Sequence, residues 1–140
     1  MRGEDNPPWV LQSDVVHRDA TTTAWVNARW WANNPGGAIV VPNEHIENMY
    51  TLPRDLAGDV HETARRLALA MKAAFTCAGV STRQHNEPGA EQEVWHYHLH
   101  VFPRFAGDDL YGSRPRLTTP TPSEREPYVR ALRDALARRP

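Results

Sequence analysis

Residues 96–102 read His-Tyr-His-Leu-His-Val-Phe, three histidines at every second position with an apolar residue in each gap. In an extended strand successive side chains leave opposite faces. His96, His98 and His100 therefore share one face, and Tyr97, Leu99 and Val101 share the other. A helix would scatter the same histidines around most of its circumference. The pattern predicts a strand from about Val94 to Phe102, with its apolar face on a core and a row of imidazoles on the opposite side. Imidazole titrates nearest to neutrality, which equips such a row for nucleophilic attack, proton transfer or metal ligation.

The rest of the chain supplies that core. The 140 residues can bury one core of real size, so a single domain over 1–140 is expected. A net charge of −1 speaks against a protein that lives on the phosphate backbone of long nucleic acid, though a small phosphorylated ligand needs only local donors. Cys77 is the sole cysteine, so neither an internal disulfide nor a four-cysteine zinc site can form. The opening Met1-Arg2-Gly3-Glu4 lacks the apolar stretch of a secretory leader, and no run is long enough to cross a membrane. A cytoplasmic protein is expected.

Val15 to Arg18, Ala24 to Arg29, Ala38 to Val41 and Val80 to Gln84 read as further strands, with a loop from Trp30 to Gly37. Leu56, Val60, Ala64, Leu67, Met71 and Phe75 recur at three- and four-residue spacing, which predicts a long helix from about Pro53 to Cys77 with Gly79 as its stop. Ser123 reads as the N-cap of a last helix carrying Tyr128, Leu132 and Leu136 on one face. The outline is α+β: an antiparallel sheet of about five strands, one long helix packed on it and a C-terminal helix.

Three chemistries suit the histidine row. Two histidines at i and i+2 can chelate a metal ion, yet no carboxylate follows His100 before Asp108. A neutral imidazole can instead attack phosphorus when its far nitrogen is held protonated, and the middle histidine alone has an imidazole on each side. The plain alternative is three surface or core histidines. Among the others, His45 reads as structural, and His17, His61 and His85 receive no role. Trp30 and Trp31 suit a core, a dimer face or a wall against a base. Arg114, Arg116, Arg138 and Arg139 read as solvated, with Arg114 or Arg116 as a possible phosphate contact.

The run His96 to Phe102 resembles the motif of the histidine triad (HIT) superfamily. The resemblance extends to Asn34-Pro35-Gly36, Pro42-Asn43-Glu44-His45, Glu47-Asn48, Leu52-Pro53, Gln84 to Pro88, Gln92 and Pro103-Arg104, and so covers about residues 15–105. Residues 106–140 then form a C-terminal extension. The resemblance implies a homodimer and an enzyme without a cofactor, acting on a nucleotide substrate. The enzyme would be a hydrolase or nucleotidyl transferase that cleaves at the α-phosphorus through a nucleotidyl-histidine. The substrates in view are a nucleoside phosphoramidate, a dinucleoside polyphosphate or a related conjugate. By position His98 is the nucleophile, His100 bonds the α-phosphate, and His96 supports the site through its carbonyl. Asn27 holds the ribose, and Asn86 and Gln92 contact phosphate. A nucleotide-binding sensor or partner module with little catalysis is the alternative. Three positions depart from the family pattern: Gly37 in place of a histidine, Glu93 in place of Ser or Thr, and Glu91 in place of glycine. Glu93 is expected to be protonated, turned away or paired, with Arg104 as a candidate partner.

Overall fold

The structure, a computed structural model, describes residues 10–113 and 116–138, so Arg114 and Arg139 lie outside the described residues. Five strands form one antiparallel sheet: β1 (Val15–Arg18), β2 (Thr22–Val26), β4 (Ala38–Pro42), β5 (Gly79–Arg83) and β6 (Leu99–Arg104), in the order β1-β2-β4-β6-β5. A two-residue ribbon pairs β3 (Trp30–Trp31) with β7 (Leu117–Thr118). Helix α1 (Arg54–Phe75) and helix α2 (Pro122–Ala137) complete the α+β fold. Among the described residues no helix is long and apolar enough to cross a membrane.

Alternation along the strands divides the sheet into two faces. Ala24, Val26, Val40 and Val101 point toward the helices, where Val60, Leu67, Ala70 and Met71 of α1 and Val129 and Leu132 of α2 bury against them. Leu67, Met71 and Leu132 are fully enclosed, so cutting any one back to alanine would cost about 2–5 kcal/mol. Trp25, Ile39 and Val41 leave the opposite face and join Val10 and Val15 in a smaller cluster. That second face, uncovered by either helix, carries the site.

Several boundaries differ from the expectation for definite reasons. The histidine segment joins the ladder only at Leu99, paired with Val40. Two residues further along β4, Pro42 has no N–H to give, and its carbonyl accepts from His96 Nε2 at 2.8 Å. The preceding chain is held instead by Tyr97 N–H donating to the Ile46 carbonyl at 2.6 Å. Helix α1 ends at Thr76, which takes the left-handed conformation (φ 52°, ψ 40°), and not at Gly79, which opens β5 opposite Arg104. Lys72 Nζ closes that turn on the Cys77 and Ala78 carbonyls. Cys77 is buried as expected of a small apolar residue, though beyond the helix. Strand β2 begins at Thr22 and stops at Val26, and β5 ends at Arg83. The expected loop after Arg29 contains β3, where Trp30 is buried edge-on against Tyr128. Thr121, and not Ser123, caps α2, its side chain accepting from Glu124 N–H.

Candidate active site

The histidine row opens onto a cavity of about 360 Å³ on the uncovered sheet face. His96, His98 and His100 all line it, although only His100 stands in the ladder. The apolar wall is built by Trp25, Ile39 and Val41, and Trp31 and Phe102 continue it with ring centroids 5.1 Å apart. The His100 ring stacks on Phe102 at 5.6 Å, with the planes 5° apart. Such a cleft, mostly apolar with a few convergent polar groups, has the form of a small-molecule site.

Within it the protonation of two imidazoles follows from their partners. His98 Nδ1 lies 2.8 Å from the His96 carbonyl. A carbonyl can only accept, so Nδ1 carries the hydrogen and Nε2 holds the lone pair. His96 Nε2 donates to Pro42 O by the same logic, and the His96 and His45 rings meet edge to face, 5.2 Å between centroids. Burial pushes the His98 pKa below its ordinary 6.5 and outweighs the opposing pull of the His96 carbonyl; His85 lowers it further and Glu93 raises it. Burial likewise lowers His96 against its bond to Pro42. The two imidazoles are thus neutral at pH 7. His98 and His100 meet edge to face, 5.2 Å between centroids.

The other expected contacts divide. Asn27 lines the cavity just past β2, its Oδ1 accepting from Arg29 N–H at 3.3 Å. Asn86 and Gln92 do not line it. Asn86 Oδ1 accepts from Met49 N–H and Gln84 Nε2, and its Nδ2 returns a bond to Gln84 Oε1. Gln92 is buried, accepting from Glu87 N–H and donating to the Glu47 and Val94 carbonyls. Both amides fasten the loop ahead of the histidines.

Glu93 lines the cavity, but Arg104 is not its partner: the guanidinium makes a two-pronged pair with Asp108 and donates to Ser81 Oγ. Glu91 is left-handed (φ 71°), the conformation that a family glycine at this position accommodates. His45 is exposed, and Trp31 is a cavity wall while Trp30 belongs to the core. Sequence reasoning missed Arg83 and His85 as cavity residues. Their signal was the same alternation, two residues apart at the end of a strand.

The HIT domain family model matches residues 10–107. The Hit protein of Bacillus subtilis is 35% identical over 78 residues, 56% of this chain, and the match spans about half of that relative's length (54%). Among solved structures, a Hit-like protein involved in cell-cycle regulation from Bartonella henselae aligns at a TM-score of 0.75. It is 27% identical, covering 89% of this chain and 88% of that one. The diadenosine triphosphate hydrolase of Plasmodium falciparum aligns at 0.78 with 14% identity, over 99% and 91%, a likeness of fold alone.

Proposed function

The chain belongs to the HIT domain family, and on that premise we propose that it is a nucleotide hydrolase or nucleotidyl transferase acting at the α-phosphorus of a nucleotide conjugate. The observation that carries the reading is the 2.8 Å bond from His98 Nδ1 to the His96 carbonyl, in a buried setting that keeps the ring neutral. Nε2 attacks the α-phosphorus in line, the bond from phosphorus to the leaving group breaks, and its electron pair departs with that group. The hydrogen on Nδ1, held by the carbonyl, stabilises the positive ring that results. Water or another acceptor then attacks phosphorus, the P–N bond breaks, and the pair returns to Nε2. The proton of that water passes to solvent, and nucleoside monophosphate is released.

In this reading His100 bonds a phosphoryl oxygen, His96 positions His98, and Asn27 holds the ribose. Asn86 and Gln92 act only through the loop they fasten. A dinucleoside polyphosphate is among the candidate substrates, since the Plasmodium protein of the same fold is a diadenosine triphosphate hydrolase. A phosphoramidate is another. A homodimer in the cytoplasm belongs to the same reading, and sedimentation of the purified chain tests its first half. Glu93, whose carboxyl side chain lines the cavity where the family pattern has Ser or Thr, favours one second reading: a nucleotide-binding module with little turnover.

One experiment separates them. The protein is incubated with an adenosine phosphoramidate, a diadenosine polyphosphate, a nucleotide sugar and a GTP analogue. Mass spectrometry follows monophosphate and any adduct on the peptide containing His98. Monophosphate together with an adduct at His98 supports catalysis. Binding without turnover or adduct supports the module.

A further inference from the structure

Register aligns four side chains straight across the sheet. Trp25 pairs with Ile39, Ile39 with His100, and His100 with Arg83, so all four leave the face that holds the cavity. At about 4.8 Å per strand the row spans roughly 14 Å. Its polarity is ordered: an aromatic and an aliphatic side chain, then the imidazole beside the nucleophile, then a cation. A substrate read in the same direction would be nucleoside, reacting phosphorus, anionic leaving group.

Arg83 is built to receive that last part. Its guanidinium stands 5.0 Å from the Trp31 ring centroid and 5.4 Å from that of Tyr111, and its side chain is only 20% exposed. Aromatic faces fix the plane of a guanidinium and leave its N–H edge for a planar or tetrahedral anion. Arg104 reaches the same Tyr111 ring at 5.6 Å, but both prongs of its fork are committed to Asp108. Among the described residues Arg83 pairs with the carboxylate of Glu91, 4.0 Å away and more than half exposed, an ion pair too long and too wet to hold against a phosphate.

We propose that Arg83 is the specificity-determining residue for the leaving group, directing cleavage toward nucleotides whose leaving group is itself a phosphate, with Glu91 as the exchangeable counter-ion it gives up. This rests on the proposed reaction at His98. When the α-phosphorus bond breaks, its electron pair stays on a bridging oxygen of the departing phosphate, and Arg83 receives that charge.

The test compares kcat/KM for diadenosine triphosphate with that for adenosine 5′-phosphoramidate, which share the adenylyl half. Arg83→Met is expected to reduce the ratio by about ten- to a hundredfold, the worth of a hydrogen bond to a charged group. Arg83→Lys should restore part of it, and Glu91→Gln, which removes the competing carboxylate, should raise it. The proposal is overturned if Arg83→Met leaves the ratio within about threefold, if both substrates fall together, or if Glu91→Gln lowers the ratio. Calorimetry with ADP and AMP keeps the two proposals apart. If the wild type turns over neither substrate, the reaction at His98 fails. Arg83 then still stands if ADP binds about tenfold tighter than AMP and Arg83→Met abolishes the gap, and it falls if the affinities are equal.

Discussion

His98 Nδ1 and the carbonyl oxygen of His96 are 2.8 Å apart, so the residue two positions back in the motif fixes which nitrogen of the nucleophile candidate is available. Only the unprotonated ring can attack, and burial lowers its pKa below 6.5. The acid limb of kcat/KM is therefore expected below pH 6.5. His85→Ala removes a group that lowers this pKa and should move the limb toward higher pH. Glu93→Gln removes one that raises it and should move the limb lower. Both variants shifting in the same direction would contradict the electrostatic account.

The same depressed values bear on stability. His96 and His98 take up protons more readily unfolded than folded, so unfolding gains protons as the pH falls below 6.5. Their contribution is intact above 6.5 and is lost progressively toward the lower folded pKa. Urea unfolding across this window should show stability falling with acid, and His98→Asn should flatten the slope. An unchanged slope would place the ring in water.

Adjacent glycines should respond oppositely to one methyl group. Gly36 has φ 91°, and a Cβ there would lie 2.9 Å from Phe75 Cε2 and from Tyr128 Cδ1. Gly36→Ala is expected to cost about 2–4 kcal/mol, combining the left-handed penalty with overpacking. At Gly37 the nearest contact would be Phe102 Cδ1 at 3.5 Å, an ordinary van der Waals distance, with no positive φ. Gly37→Ala should stay within about 1 kcal/mol of the wild type. Thermal or urea melts of the two variants decide this directly.

Alternation and helical spacing are local signals, and they located the sheet strands, α1 and α2 because each face buries a continuous apolar set. What stayed hidden was set by partners distant in sequence. The histidine ladder stops at Leu99 because Pro42, on the neighbouring strand, lacks an N–H. Strand β3 exists only through its pairing with β7; Thr118 Oγ1 donates to the Trp30 carbonyl across 88 residues of chain. The triad was legible as a row facing one side, and family position marked Asn27 as a cavity residue. Family position alone could not show that the amides of Asn86 and Gln92 are spent on the Met49, Glu47 and Glu87 main chain.

The ion pair of Asp14 and Arg125 is equally invisible locally, 111 residues apart, and its side chains are only 5% exposed each. Arg125 grips both carboxylate oxygens at 3.0 Å and gives a further bond to Pro120 O, tying α2 to the entry of β1. Removing one partner strands the other charge away from water. Arg125→Met or Asp14→Leu alone should cost about 3–5 kcal/mol, and the double replacement should recover much of that loss. Strictly additive losses would mean that the two charges are not coupled.

Asp108 organises the segment that carries Tyr111. Its carboxylate accepts from Arg104 twice, and from Asn34 Nδ2, Phe105 N–H and Leu110 N–H. The Arg104 bonds, outweighing burial and helped by Phe105 and Asn34, hold its pKa well below the usual carboxylate range. A depressed folded pKa gives stability that is present above the unfolded value near 3.8 and is lost as the pH falls below it. Asp108→Asn should therefore cost about 2–3 kcal/mol at pH 7 and flatten the acid slope below pH 4. The loss stays below that of the Asp14 pair because the Arg104 side chain is 29% exposed and can turn to water. The same substitution loosens the shelf beneath Arg83, since Tyr111 stacks against both arginines. The preference for a phosphorylated leaving group should consequently weaken in Asp108→Asn, while the acid limb set by His98 stays in place. If the limb moves and the preference does not, Asp108 acts on the nucleophile rather than on the leaving-group side.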